Sequence, residues 1–266
     1  MSHLALVTGG SAGIGRAICL ALAAPERTVL VASRRLAACE AVAEQIRSVG
    51  GRAAALELDV TRADSIAAAA GRVAELEDIG GPLTELVNNA GAVDVHGAFE
   101  QPAGLAGDVW KRQFDVNFHG PRRLIEAFIG PMRSRGIGRI VNVASAAGLR
   151  AFPSIAAYVA AKHAMVGYTR AAAMELSGSG VTMAAVCPYY VDSPMIDRGA
   201  AELAADRGWS RERALAEFAG RNPGGRLLSM DEVAAAVVDL LKSGCNGRVL
   251  VLDGGPPREA SEEPEP

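Results

Sequence analysis

Short apolar runs, each closed by glycine, serine or asparagine, alternate along this chain with stretches whose apolar residues recur every three or four positions. HLALVTG (from His3), TVLVAS, AAALELDV, LTELVNNAG, RIVNVAS, VTMAAV and RVLVLDGG read as seven strands. Helical patterns fall between them, among others at residues 14–24, 36–49, 65–76 and 154–176. The strands are almost continuously apolar, which is the pattern of a sheet covered on both faces, and the β-α alternation makes that sheet parallel. The pattern predicts an α/β protein with one doubly wound domain over residues 1–255, helices lying on both faces of a seven-stranded parallel sheet.

Two segments break the alternation. Residues 92–104 read as a loop with Gly, Pro and His, and residues 192–222 as an insertion rich in Ala, Arg and Glu. In a doubly wound Rossmann sheet both lie at the carboxyl ends of strands, where ligands bind. The segment 256–266, PPREASEEPEP, is acidic and proline-rich and reads as a disordered tail.

Composition narrows the function classes. Half of the 266 residues are apolar, and the net charge of −3 gives no electrostatic case for nucleic acid or an anionic membrane. The four cysteines are scattered, without a CxxC pair, so reduced thiols are expected and neither a disulfide framework nor a metal site. No leader pattern or long uncharged apolar stretch is evident, and a soluble cytoplasmic protein is the expectation.

The first strand runs into TGGSAGIG, Thr8 to Gly15, directly before a helix. Gly9, Gly13 and Gly15 remove side chains where a backbone must turn close to a pyrophosphate, with Ser11 and Ile14 between them, and the helix N-terminus presents N–H groups to the anion. The second strand ends at Ser33, where an NAD site usually carries an acid for the ribose hydroxyls. Here Ser33 is followed by Arg34 and Arg35. A guanidinium fork matches a phosphate, so Ser33 and Arg34 point to NADP(H) rather than NAD(H).

YVAAK, Tyr158 to Lys162, places a phenol and an ammonium one turn apart on a helix. A nearby cation favours the phenolate, so the spacing predicts a lowered tyrosine pKa. The chain has 24 arginines against three lysines, by subtraction from 27 basic residues, so a lysine at 162 is a chosen ammonium. Ser145 lies thirteen residues before the tyrosine.

Together these residues resemble the short-chain dehydrogenase/reductase family from Leu4 to Gly255, and NPGGRLLSMDEVA, from Asn222 at the end of the 192–222 insertion, resembles its 3-oxoacyl-thioester reductases and aromatic polyketide ketoreductases. The resemblance implies that Asn117 in DVNFHG, Ser145, Tyr158 and Lys162 form a catalytic tetrad. Tyr158 would exchange a proton with the substrate oxygen, and Ser145 would bind that oxygen. Lys162 would hold the nicotinamide ribose, and Asn117 would fix a water in a proton relay. It also implies adenine contacts at Asp59 and Val60, and a strand-end motif NNAG, Asn88 to Gly91, that steadies the sheet and, through Asn89, Ala90 and Gly91, passes beside the ribose. Pro188, Val191 and Ser193 would meet the nicotinamide carboxamide. Ala12 stands where many NADP-binding relatives carry a second basic residue.

Tyr189 stands where the family has glycine, which leaves the local backbone path open and makes Tyr189, Tyr190 and Val93 candidates for the substrate side. The resemblance implies an NADP(H)-dependent enzyme acting on a ketone/secondary alcohol pair, assembled as a homotetramer or homodimer. An NAD-dependent alcohol or sugar dehydrogenase and a non-catalytic nucleotide sensor are the alternatives.

Overall fold

The computed structural model describes residues 2–95 and 103–261. Eight strands form one sheet: β1 (His3–Thr8), β2 (Arg27–Ser33), β3 (Arg52–Glu57), β4 (Leu83–Asn88), β5 (Gly138–Val143), β6 (Val181–Pro188), β7 (Val249–Leu252) and β8 (Arg258–Glu259). Their order is 3-2-1-4-5-6-7-8, with every pairing parallel except the last. The helices are α1 (Gly13–Ala21), α2 (Leu36–Ser48), α3 (Ala63–Gly80), α4 (Ala103–Phe114), α5 (Gly120–Arg135), α6 (Ala156–Glu175), α7 (Pro194–Arg207), α8 (Arg211–Gly220) and α9 (Met230–Ser243).

Strand periodicity builds the two cores. Along β1, Ala5 and Val7 face one side with residues of α1, α2 and α9, while Leu4 and Leu6 face the other with residues of α3, α5 and α6. Both faces are therefore covered, and β1 is the interior strand that the apolar run HLALVT anticipates. The strand order reverses between β1 and β4, so a crevice opens at their carboxyl ends.

A buried amide ladder ties α6 to those ends. Asn88 Nδ2 donates to Asn142 Oδ1 over 2.9 Å, and Asn142 Nδ2 donates to Thr169 Oγ1 over 2.9 Å. At the other end of the insertion, α9 starts in a reciprocal cap between Ser229 and Glu232, which fixes where the helix begins.

The structure corrects the sequence reading at several points. The sheet has an eighth, antiparallel strand where only seven are predicted. Residues 256–261 are ordered: Arg258 and Glu259 pair with Val251 and Leu250, so the expected tail is strand at its start. Arg258 also donates to Asp253 over 3.2 Å, a contact that periodicity over two residues could not reveal. Residues 262–266 lie outside the described residues. Of the loop expected at 92–104, residues 96–102 also lie outside them, and α4 already begins at Ala103. The insertion at 192–222 is two helices, α7 and α8, packed together. Among the described residues no helix is long and apolar enough to cross a membrane, and no group of three His, Cys, Asp or Glu could hold a metal.

Candidate active site

The glycine loop is shaped by close approach. Gly9 has φ of 68°, and a Cβ at Gly15 would lie 2.2 Å from Gly9 O and 2.4 Å from Asn89 Nδ2. Asn89 locks the loop to β4: its Nδ2 donates to Thr8 O over 2.9 Å, while Thr8 Oγ1 accepts from the N–H groups of Asn89 and Ala90, each over 3.0 Å. Ala12 gives α1 no side-chain cap, so the N–H groups of its first turn are left to an external acceptor. Ser11 is half-buried at the surface of this loop, and Ile14 packs against the core. This cradle, which any side chain at Gly15 would fill, fits a pyrophosphate.

At the end of β2, Arg34 is exposed and makes no ion pair among the described residues. Ser33 Oγ accepts from Arg35 N over 3.1 Å and lies 3.0 Å from Cys39 Sγ. A serine held in place beside an unpaired guanidinium is a fitting phosphate corner. Beyond β3, Asp59 Oδ1 accepts from Thr61 N and Oγ1, and Val60 is buried. The Asp59 carboxylate therefore shapes its own turn, leaving the backbone of these residues for a base. Across the crevice, Gly13 would bring a Cβ within 3.8 Å of Pro194 Cδ, so the start of α7 sits against the glycine loop.

Tyr158 and Lys162 come from α6, and Ser145 from the turn after β5. The Ser145 hydroxyl accepts from Ala147 N over 3.1 Å, which fixes its rotamer, and sits close enough to the Tyr158 phenol to draw its pKa down. Lys162 is buried, donates from Nζ to Val143 O over 2.9 Å and lies 5.6 Å from the centre of the Tyr158 ring. Burial pushes the phenol up to about 12, offset only in part by Ser145. Burial also pushes the ammonium down to about 8. The four-residue spacing predicts the opposite direction for the tyrosine, and desolvation outweighs it. The phenol is consequently a held proton at neutral pH, while the ammonium remains mostly charged below pH 8.

The fourth member enters from another direction. A π-type turn, Asp115–His119, joins α4 to α5 and turns Asn117 inward, where it is buried. Gly91 separates it from the lysine: a methyl there would lie 3.1 Å from Asn117 Oδ1 and 3.7 Å from Lys162 Nζ. Ser145, Tyr158, Lys162 and Asn117 thus converge at one place on the sheet. Cys187 lies beneath them with its thiol pushed up to about 12 by burial, so it is a neutral packing group.

Tyr189 resolves the backbone question that its position raises. Its N–H donates to Leu252 O over 2.8 Å, continuing the edge of β6, and among described non-glycine residues only Ser154 has positive φ. No glycine is required here. The ring instead packs edge-on to Phe152 with centroids 6.4 Å apart, and its hydroxyl accepts from Arg150 over 3.2 Å. Tyr190 meets Phe152 at 6.2 Å and Phe218 of α8 at 5.2 Å, with its backbone held by Asn222. Pro188 pairs with Leu252, Val191 bridges to Leu228, and Ser193 starts α7 without spending its hydroxyl on a cap. Val93 is half-buried in the loop after β4. Phe152, Phe218 and Arg150 were not predicted; their only signal is an aromatic or basic side chain in segments that flank the site.

A family model described as short chain dehydrogenase matches residues 3–203. A 3beta-hydroxysteroid dehydrogenase of Mediterraneibacter gnavus is 37% identical over 198 residues, covering 74% of this chain and 69% of its own. A Streptomyces virginiae protein named as a monensin polyketide synthase ketoacyl reductase is 36% identical over 89% of this chain and 88% of its own. Among solved structures, a variant of actinorhodin polyketide ketoreductase with NADPH superposes with a TM-score of 0.87 at 32% identity, over 96% of this chain and 97% of the other.

The cradle makes a direct prediction. Gly15→Ala must displace Gly9 or Asn89, and we expect a loss of about 1–3 kcal/mol in stability, the usual cost of overpacking. Dinucleotide binding should fall below detection. Denaturant melts and a fluorescence titration check both, and unchanged nucleotide affinity would contradict the assignment of the loop.

Proposed function

The chain belongs to the short-chain dehydrogenase/reductase family, and on that premise we propose that it is an NADP(H)-dependent ketoreductase, reducing a ketone to a secondary alcohol with Asn117, Ser145, Tyr158 and Lys162 as its tetrad. The observation that carries this reading is geometric: the Tyr158 ring lies 5.6 Å from the buried Lys162 ammonium, and Gly91 alone separates that ammonium from Asn117. Similarity to a ketoacyl reductase and to a ketoreductase with NADPH supports the reaction class and the cofactor.

When bound, the dinucleotide supplies a hydride to the carbonyl carbon. The chain's own residues then manage the oxygen. Charge growing on that oxygen strengthens its hydrogen bonds to Ser145 and Tyr158, and the phenol passes its proton across as the alcohol forms. The Lys162 ammonium stabilises the phenolate left behind and binds the ribose hydroxyls. Asn117 lines the gap above Gly91 through which a proton returns. Ser33 and Arg34 hold the 2′-phosphate, the glycine loop from Gly9 to Gly15 holds the pyrophosphate, and Asp59, Val60, Ala90 and Gly91 frame the adenosine. Pro188, Val191 and Ser193 face the carboxamide.

Tyr189, Tyr190, Phe152 and Phe218 form an aromatic wall on the substrate side, favouring a flat or apolar ketone such as a cyclic or polyketide-like one. Association as a homotetramer or homodimer belongs to the same reading.

Four outcomes check it. Tyr158→Phe should lower NADPH-dependent turnover by about 10²–10⁴-fold, the range for a lost general acid, with NADPH affinity retained. The wild-type rate should be flat from pH 6 to about 7, reach half its plateau near 8 and keep falling above it, because Lys162 loses its charge there while Tyr158 stays protonated. A rate that rises through pH 9 contradicts the assignment. Arg34→Glu should raise the KM for NADPH by about 10–100-fold, equivalent to a charged hydrogen bond, and leave that for NADH little changed; a wild-type preference for NADH would favour the alcohol or sugar dehydrogenase. Tyr189→Gly should broaden the ketone profile, and an identical profile across cyclic, aromatic and 3-oxoacyl substrates removes Tyr189 from the pocket.

A further inference from the structure

Gln113 is fully buried on α4, and the steps above do not use it. Its side-chain amide is held at both ends. Nε2 donates to Asp94 Oδ2 over 2.6 Å, and Oε1 accepts from Asn117 Nδ2 over 3.0 Å. The same carboxylate oxygen of Asp94 accepts from Arg112 Nε over 2.8 Å. Asn117 Nδ2 also donates to Ala92 O over 2.8 Å and to Gln113 O over 3.0 Å.

Donor and acceptor types make this chain directional. An ionised carboxylate only accepts, so the end of Gln113 facing Asp94 is its NH2 group and the other end is its carbonyl. That carbonyl requires the NH2 group of Asn117. Asn117 Oδ1 is therefore turned the other way, where it accepts from Ala92 N over 3.3 Å and faces the gap it shares with Lys162 Nζ at Gly91. The charge on Asp94, itself paired with Arg112, thereby sets the orientation of an amide two residues removed from it in the hydrogen-bond chain. It also ties the loop carrying Val93 to α4.

We propose that Gln113 and Asp94 are positioning residues that keep the Asn117 oxygen aimed at Lys162, and so hold open the proton-return route. This rests on the ketoreductase reading of Tyr158, Lys162 and Asn117. Two backbone carbonyls also receive the Asn117 amide, so loss of Gln113 weakens the orientation without abolishing it.

The test compares Gln113→Leu, Gln113→Glu and Asp94→Ala with the wild type, using the best ketone found and NADPH. Gln113→Leu should lower kcat by about tenfold, with the NADPH Kd, read from nicotinamide fluorescence, within about twofold. Gln113→Glu separates positioning from packing. Protonated, its O–H donates to Asp94 and its carbonyl accepts from Asn117, restoring the chain. Ionised, it places two carboxylates together.

Among the described residues, the charged groups facing it are Asp94 and Arg112, with the Lys111–Asp115 pair on the same helical segment. Its turnover should approach wild type near pH 5.5 and fall towards that of Gln113→Leu by pH 8. A second readout needs no substrate: the Asn117 side-chain amide protons, followed by NMR, should exchange at least tenfold faster in Gln113→Leu. If that variant does not fold, Asp94→Ala, at a half-exposed site, carries the same expectations. Wild-type kcat and wild-type amide exchange in the folded variants overturn the proposal, as does a Gln113→Glu pH profile parallel to wild type. Tyr158→Phe is the control: full turnover there defeats the ketoreductase reading, whereas an inactive Tyr158→Phe beside an unaffected Gln113→Leu defeats only this one.

Discussion

Setting a half-buried phenol against a buried ammonium at the end of a parallel sheet is the constraint on which the rest of this structure turns. Neither group tolerates removal from water without partners. Val143 O accepts from Lys162, Ser145 stands beside Tyr158, and both partners come from β5 and the turn that follows it. Helix α6 must therefore sit at a fixed height over β5, and the Asn88–Asn142–Thr169 ladder holds it there. The same burial decides the protonation states. It raises the phenol and lowers the ammonium, leaving a proton donor beside a cation through the neutral range.

Around that centre, two surfaces are built from contrasting materials. The nucleotide side is made by removing side chains: Gly9, Gly15 and Gly91 leave space where any Cβ would collide with backbone or close upon a functional atom. The opposite side is made by adding them. Tyr189 and Tyr190 meet Phe152 edge to face and Phe218 tilts against Tyr190, bordered by Arg150 and Arg221 lying against Phe152 and Phe218. Such rings are rigid and change shape little.

Much of this was legible in the chain because local rules carried it. Continuous apolar runs define buried strands, a glycine loop between strand and helix defines an anion cradle, and four-residue spacing places Tyr158 and Lys162 together. What was not legible depends on contacts distant in sequence. The phenol's direction of shift comes from burial among β5, β6 and α6, which spacing alone does not encode. The eighth strand has too few residues for a period and exists because β7 offers an edge. Tyr189 reads as a violation of a glycine position, yet the backbone there has no positive φ and its N–H bonds Leu252 O just past the end of β6. Gln113 lies four residues before Asn117 on one helix face, a visible spacing whose meaning appears only once Asp94 arrives from the loop after β4.

The most direct measurement is label transfer from NADPH carrying deuterium at C4 of the nicotinamide, with each C4 face labelled in turn, to a cyclic or 3-oxoacyl ketone. The account predicts that one of the two labelled forms delivers deuterium to the carbinol carbon of the product in wild type, with transfer nearly lost in Tyr158→Phe. Oxidation of NADPH without label in the product from either form, or undiminished transfer in Tyr158→Phe, would contradict it.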